Sequence, residues 1–238
     1  MLDESWEGVM ATRWVQVAGA DGQFDAFVAT PPVTPGPGIV LIQEIFGVND
    51  HIQGVAAQYA SDGYTVIAPD LFWRSERRVN IGYSDAEFKR GMELAGKLDR
   101  AKTAQDITAA VQVLRSLPEC KGPVASIGYC MGGMLSYRTA ATGAVDGAVC
   151  YYGGGIGDQL DLAAKIRCPI LFHFAEQDTW IPRTVADGVK RSFAGRDNAS
   201  VYLYAGVNHG FNCWARSAYN QRAAALARGR SLEFLSAL

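Results

Sequence analysis

Several ingredients are scarce or missing from this 238-residue sequence, and each absence narrows what the chain can be. No apolar run approaches the ~18 residues that span a bilayer, so no membrane helix is predicted. The 22 Lys+Arg nearly balance the 24 Asp+Glu, and a net charge of −2 offers nothing to nucleic acid or an anionic membrane surface. The one basic cluster, Arg74, Arg77 and Arg78, is short, interrupted by Glu76, and reads as a solvated loop. Cysteine is sparse: positions 120, 130, 150, 168 and 213, an odd number with no C-x-x-C pair, exclude a disulfide framework and a structural zinc site. Met1–Trp6 lacks the basic region and apolar stretch of a secretory signal. Together these absences predict a reduced, cytoplasmic protein that holds no metal or other cofactor. No repeat or low-complexity linker appears, and the Pro/Gly-rich stretch Pro31–Gly38 only joins two strands, so residues 1–238 read as one domain.

What is present is an ordinary globular balance, 49% hydrophobic and 19% charged, enough for a substantial core. Two strand-like runs, Thr12–Val17 and Gln23–Ala29, flank Asp21-Gly22 and predict an antiparallel hairpin. Gly38–Ile42 is wholly apolar, as in strands buried on both faces. Asn49 or Asp50 caps a helix reaching Ser61, with Gly63 at its stop, and Tyr64–Ala68 is the next strand. Ser84-Asp-Ala-Glu87 is a capping-box pattern for a helix to about Arg100, with a second over Thr103–Ser116. Then come strand Pro123–Ile127, helix Met134–Ala141, and strands Gly147–Tyr151 and Pro169–Phe174. Helix Arg183–Phe193, strand Ser200–Tyr204 and a last helix, about Ser217–Leu235, finish the chain. The alternation predicts an α/β fold: about eight strands, mostly parallel, helices on both faces, and ligands bound beyond the strands' carboxyl ends.

Gly128-Tyr-Cys-Met-Gly-Gly133, between a strand and a helix, is a G-x-S-x-G nucleophile elbow with cysteine in the serine position. The turn is so tight that glycines must flank the nucleophile. Cys130 directly precedes a helix, whose N-terminus favours a thiolate. The other four cysteines lack this context and read as structural. A cysteine hydrolase needs a base and a group that orients it, in the chain order nucleophile, acid, histidine. Asp178, in the loop after strand Ile170–Phe174, is the candidate acid, with Glu176 as its competitor and a capping role ahead of Pro182 as the alternative. Of only three histidines, His209 alone follows the final strand in a small-residue loop, and it is the candidate base; His51 and His173 read as structural. Glu44 ends a buried run and is either a water-facing loop carboxylate or a group at the active-site rim. The backbone N–H groups of Ile45 and Met131 are the candidate oxyanion hole. Phe46, Trp73, Trp180, Phe211 and Trp214 are candidates to line an apolar pocket. Gly153-Gly-Gly-Ile-Gly157 lacks nucleotide-loop spacing and reads as a loop on the site's side.

These stretches together resemble the dienelactone hydrolase family of α/β-hydrolases: Gln43–Asn49, Gly63-Tyr64 through Ala68–Leu71, Gly128–Gly133, Tyr151–Gly153, Asp178 and His209–Phe211. The resemblance runs from about residue 12 to the C-terminus. It implies a Cys130–His209–Asp178 triad that opens lactones or activated esters through an acyl-enzyme. It also implies that the Glu44 carboxylate holds the resting thiol until substrate displaces it. Family members that take dienelactone grip its carboxylate with two arginines; the matching positions here are Cys213 and Phe88, the latter beside Lys89 and Arg90. Arg216 is either a replacement cation or the solvent-facing start of the last helix. The alternatives to a hydrolase are a non-catalytic ligand-binding homologue, which needs no nucleophile and base, and a thiol redox protein, which lacks a nearby resolving cysteine. The partner expected is a small lactone or ester; oligomeric state is not legible.

Overall fold

The computed structural model describes residues 9–238; the stretch Met1–Trp6 read above for a secretory signal lies outside the described residues. Strands β1 (Ala11–Gly19) and β2 (Gly22–Thr30) form the expected hairpin, in register from Ala11 opposite Thr30 to Gly19 opposite Gly22. β2 then pairs antiparallel with β4 (Thr65–Pro69). From β4 onward the sheet is parallel through β3 (Gly36–Ile42), β5 (Cys120–Tyr129), β6 (Gly147–Tyr151), β7 (Ile170–Ala175) and β8 (Ala199–Tyr204). The spatial order is β1-β2-β4-β3-β5-β6-β7-β8.

Successive residues of β3 explain the layering, because side chains alternate between faces. Ile39 and Leu41 join the core made with Ile52, Val55 and Tyr59 of α1 (Asp50–Ser61). Val40 and Ile42 join the core made with Ile107, Val111 and Leu114 of α3 (Arg100–Ser116), on the opposite face. The sheet is thus buried on both sides, which is why its parallel strands read as continuous apolar runs. Among the described residues, no helix is long and apolar enough to cross a membrane.

Helix starts follow capping chemistry. Asn49, rather than Asp50, caps α1, its side chain accepting from the Ile52 N–H at 3.2 Å. Ser84 and Glu87 form a complete capping box at α2 (Asp85–Gly96). Asp99 starts α3 earlier than the apolar pattern indicated, accepting from the N–H groups of Ala101 and Lys102. α5 spans Arg183–Ser192 and follows Pro182. The last helix, α6 (Gln221–Ser236), starts four residues later than expected, because Asn220 and not Ser217 accepts from the Ala223 N–H, at 3.0 Å. A 3-10 helix over Gly157–Lys165, after the glycine run, was not visible in the sequence. The Arg74–Arg78 cluster is the exposed loop expected, but its charges are paired rather than free. Arg74 binds Asp21 and buried Asp106, Arg78 binds Asp25 at 2.7 Å, and Arg74 lies over the Trp73 ring.

Candidate active site

The register brings the carboxyl ends of β3, β5, β7 and β8 together, with Ile42 beside Gly128, Tyr129 beside Tyr151 and Ala175 beside Tyr204. The loops leaving those four ends carry Glu44, Cys130, Asp178 and His209. Cys130 lies at the turn into α4 (Met131–Thr142), with φ 56° and ψ −117°, a conformation a non-glycine residue holds only when its surroundings impose it. A Cβ on Gly128 would sit 1.8 Å from the Gly132 carbonyl oxygen, and one on Gly132 would sit 2.2 Å from that of Ile42. Cys130 is the N-cap of α4 yet makes no capping bond, so its thiol is left to the cavity it lines.

His209 is buried, and its Nδ1–H donates to Asp178 Oδ2 at 2.9 Å. The other oxygen of Asp178 accepts from the Trp180 and Ile181 N–H groups at 2.8 and 2.9 Å, which fixes the carboxylate's plane. Asn208 joins the two loops: its side-chain oxygen accepts from the Thr179 N–H at 3.1 Å and the His209 N–H at 2.6 Å. Burial disfavours charge on His209, but the bond to Asp178 and the neighbouring Cys130 thiol outweigh it and lift its pKa to about 10. A charged imidazolium beside a sulfur is the electrostatic partner that a thiolate requires. The competing acid, Glu176, instead accepts from the Gly206 N–H at 3.0 Å and does not reach the histidine.

Glu44 is neither water-facing nor bonded to the thiol. Its side chain is 1% exposed, with one oxygen 3.5 Å from Arg216 Nη1 and the other accepting from the Tyr83 hydroxyl at 3.4 Å. Burial raises its pKa, and the charges of Arg216 and His209 oppose that rise. In this arrangement Glu44 is paired with Arg216. Arg216 precedes α6 and turns inward instead of starting a helix in solvent. Gly210 makes room for it, since a Cβ there would lie 2.6 Å from Arg216 Nη1.

Two apolar lobes, of about 270 and 180 Å³, meet at Ile45, Met92, Cys130 and Gly154. Met131 lines the larger lobe; His209, Arg216, Phe46, Phe88 and Trp180 line the smaller. Neither the Ile45 nor the Met131 N–H has a backbone acceptor outside the regular elements among the described residues, so neither donor is committed there. The other aromatic candidates stand elsewhere. Trp73 stacks on Phe24 and donates to Asp106, and Phe211 is core between Tyr152 and Tyr204. Trp214 is 41% exposed with its ring against His51, outside both lobes, because the loop after Cys213 turns it towards α1.

Sequence reasoning missed Tyr83 and Met92. Met92 sits four residues beyond Phe88 on α2, a helical spacing that would have placed it beside that position. His51 is as buried as a structural residue should be, yet both of its ring nitrogens lack a partner, and burial with the nearby Arg216 charge lowers its pKa to about 4. Glu44, His51 and Cys213 bring one ligand-type atom each within 4.8 Å of the others. A cation there would share Glu44 with the Arg216 guanidinium, so the set is poorly suited to a metal. His173, by contrast, is satisfied by Tyr204 at 2.8 Å and Ser231 at 3.0 Å.

The model of the dienelactone hydrolase family matches residues 24–238. A carboxymethylenebutenolidase of Pseudomonas putida is 35% identical over 96% of this chain and 98% of its own. Carboxymethylenebutenolidase 1 of Cupriavidus pinatubonensis is 29% identical over 91% of this chain and 93% of its own. Among solved structures, a dienelactone hydrolase-like promiscuous phosphotriesterase from metagenomic libraries superposes with a TM-score of 0.81 at 23% identity, covering 97% of this chain and 99% of that one. Est1E of Butyrivibrio proteoclasticus has the same fold at a TM-score of 0.69 and 13% identity, covering 94% of this chain and 99% of its own.

Proposed function

The chain belongs to the dienelactone hydrolase family, and from that premise we propose that it is a cysteine-dependent hydrolase of lactones or activated esters. The observation that carries this reading is a cysteine held at positive φ in the same cavity as a histidine locked to a buried carboxylate.

His209 enters the cycle as the imidazolium, and the nucleophile is the Cys130 thiolate. The thiolate attacks the carbonyl carbon, forming a C–S bond, while the displaced electron pair moves onto oxygen and is held by the Ile45 and Met131 N–H groups. Collapse of this intermediate breaks the bond to the leaving oxygen, which takes the imidazolium proton. Water, deprotonated by His209, then cleaves the thioester and releases the acid and the thiolate. Asp178 fixes the imidazole tautomer and supports its charge throughout. Glu44 acts through Arg216: paired with it, the carboxylate keeps the cation aimed at the smaller lobe. Tautomer control and the oxyanion donors require a rigid base, which the strand-end loops supply.

The test compares wild type with Cys130→Ala on cis-dienelactone, neutral lactones and short p-nitrophenyl esters. Cysteine-dependent turnover of dienelactone supports the family's lactone substrate, with Arg216 as the cation. Cysteine-dependent turnover of neutral substrates alone keeps the chemistry and moves the substrate class. Wild-type rates in Cys130→Ala would refute the covalent reading.

A further inference from the structure

Resting on that hydrolase reading, we propose that the larger lobe is an acyl-chain site and that the protein's substrates carry an uncharged, apolar acyl arm. The lobe is walled by Met92 and Ala95 of α2, by Leu98 just beyond it, and by Met131, Met134 and Leu135 from the start of α4. Arg100 is its single charged lining residue and is exposed. The hydroxyl of Thr103, its polar lining residue, is already committed to the Asp99 carbonyl at 2.7 Å. Apart from Arg100 at its exposed edge, the lobe's walls are apolar. The three methionines supply flexible, polarizable walls that accommodate chains of different shape.

The assignment of acyl arm to this lobe follows from the proton. The leaving oxygen must receive its proton from His209, and His209 lines only the smaller lobe. The leaving group therefore occupies the smaller space, among Phe46, Phe88, Trp180 and Arg216. With Cys130 at the junction and the Ile45 and Met131 donors beside it, the carbonyl carbon has one exit left for its chain, the methionine-walled lobe. Phe88, 5.5 Å from Trp180 between ring centroids, makes the leaving-group side an aromatic wall as well.

The experiment is a chain-length series read as kcat/KM. From p-nitrophenyl acetate to octanoate the value rises on the order of twofold for each of the added methylenes, so that octanoate exceeds acetate by roughly 60-fold. Octyl acetate, which carries the same chain in the alcohol, gains far less. Ala95→Trp fills the lobe and brings the octanoate-to-acetate ratio down to roughly 5 or less. Met92→Glu, at a site 47% exposed where the fold tolerates a charge, also lowers the ratio. A cysteine-dependent series that is flat, or that lengthens with the alcohol, overturns the acyl site and leaves the hydrolase standing. Ester turnover that survives Cys130→Ala overturns the hydrolase reading. The lobe is then judged by alkylation of Cys130 with chloromethyl octyl ketone against chloromethyl methyl ketone, followed by mass. That reaction forms a C–S bond, breaks C–Cl and expels chloride without any turnover. Faster labelling by the octyl reagent, lost in Ala95→Trp, supports the site; equal rates overturn it.

Discussion

At the scale of single residues, the site depends on two buried pairs with opposite consequences. Asp178→Asn keeps the shape of the His209 partner but no longer fixes the tautomer or supports the imidazolium, so kcat falls by roughly 10²- to 10⁴-fold with the fold intact. Because the bond to Asp178 is a principal support of the raised His209 pKa, the pH profile of Cys130 alkylation by iodoacetamide moves as well. An unchanged profile would show that the pair is structural. The second pair, Glu44 with Arg216, is read through stability. Arg216→Met strands a carboxylate that is 1% exposed and costs about 3 kcal/mol in urea unfolding, while adding Glu44→Gln recovers most of that loss. Independent, additive losses in the double variant would mean that the two groups do not support one another. Cys130, Asp178 and His209 were legible because the elbow glycines and the chain order nucleophile, acid, base are local and directional signals. The partner of Glu44 was not legible. It depends on Gly210 leaving space for a guanidinium six residues further on, which no periodicity encodes.

Elements were legible where one short-range rule decides them, such as the hairpin at Asp21-Gly22, the Ser84–Glu87 box and the apolar runs of the parallel strands. They were missed where the deciding contact is distant. The last helix waits for Asn220, whose N–H is tied back to the Phe211 carbonyl, and β5 extends to Cys120 because Gly36 of β3 pairs with it. Nor does alternation reveal that β4 inserts between β2 and β3, since every strand there is buried on both faces and any order would satisfy the pattern. The same logic separates two glycines. At Gly132, in the first turn of α4, a Cβ would meet the Ile42 and Gln43 carbonyl oxygens at 2.2 and 2.6 Å, both of them backbone. Gly132→Ala therefore displaces the elbow, costs about 2 kcal/mol or more, and lowers kcat with it. At Gly96, the last residue of α2, a Cβ meets nothing within 4 Å. Gly96→Ala reduces the freedom of the unfolded chain and raises stability by about 0.5 kcal/mol. Thermal unfolding of the two variants reads both signs, and a neutral Gly132→Ala would contradict the close packing of the elbow.

For the whole molecule, the buried titratable groups set how stability follows pH. His51 and His173 are held neutral by burial, with pKa values lowered to about 4 and about 3, against an ordinary value near 6.5. Between those limits the unfolded chain binds two protons that the folded chain refuses, so stability falls as pH drops below about 6.5. Asp70 opposes this. Burial raises its pKa from 3.8 to about 6, so below pH 6 the folded chain takes up a proton the unfolded chain leaves behind, and stability gains from acid there. Glu44, raised by burial, acts in the same direction as Asp70. His209 contributes nothing to this window: its folded pKa lies above its unfolded value, so its stabilisation is complete below about 6.5 and is lost as pH rises towards 10. Asp70 and Glu44 offset part of what the two histidines lose between pH 6.5 and 5, and the remaining loss is seen as a lower urea midpoint at pH 5 than at pH 7. His173→Phe removes one of the two refused protons, so the midpoint's decline becomes shallow even though the variant starts less stable, having left Tyr204 and Ser231 without their partner. A decline as steep in His173→Phe as in wild type would assign the acid sensitivity to other groups and place this histidine's titration outside the folding equilibrium.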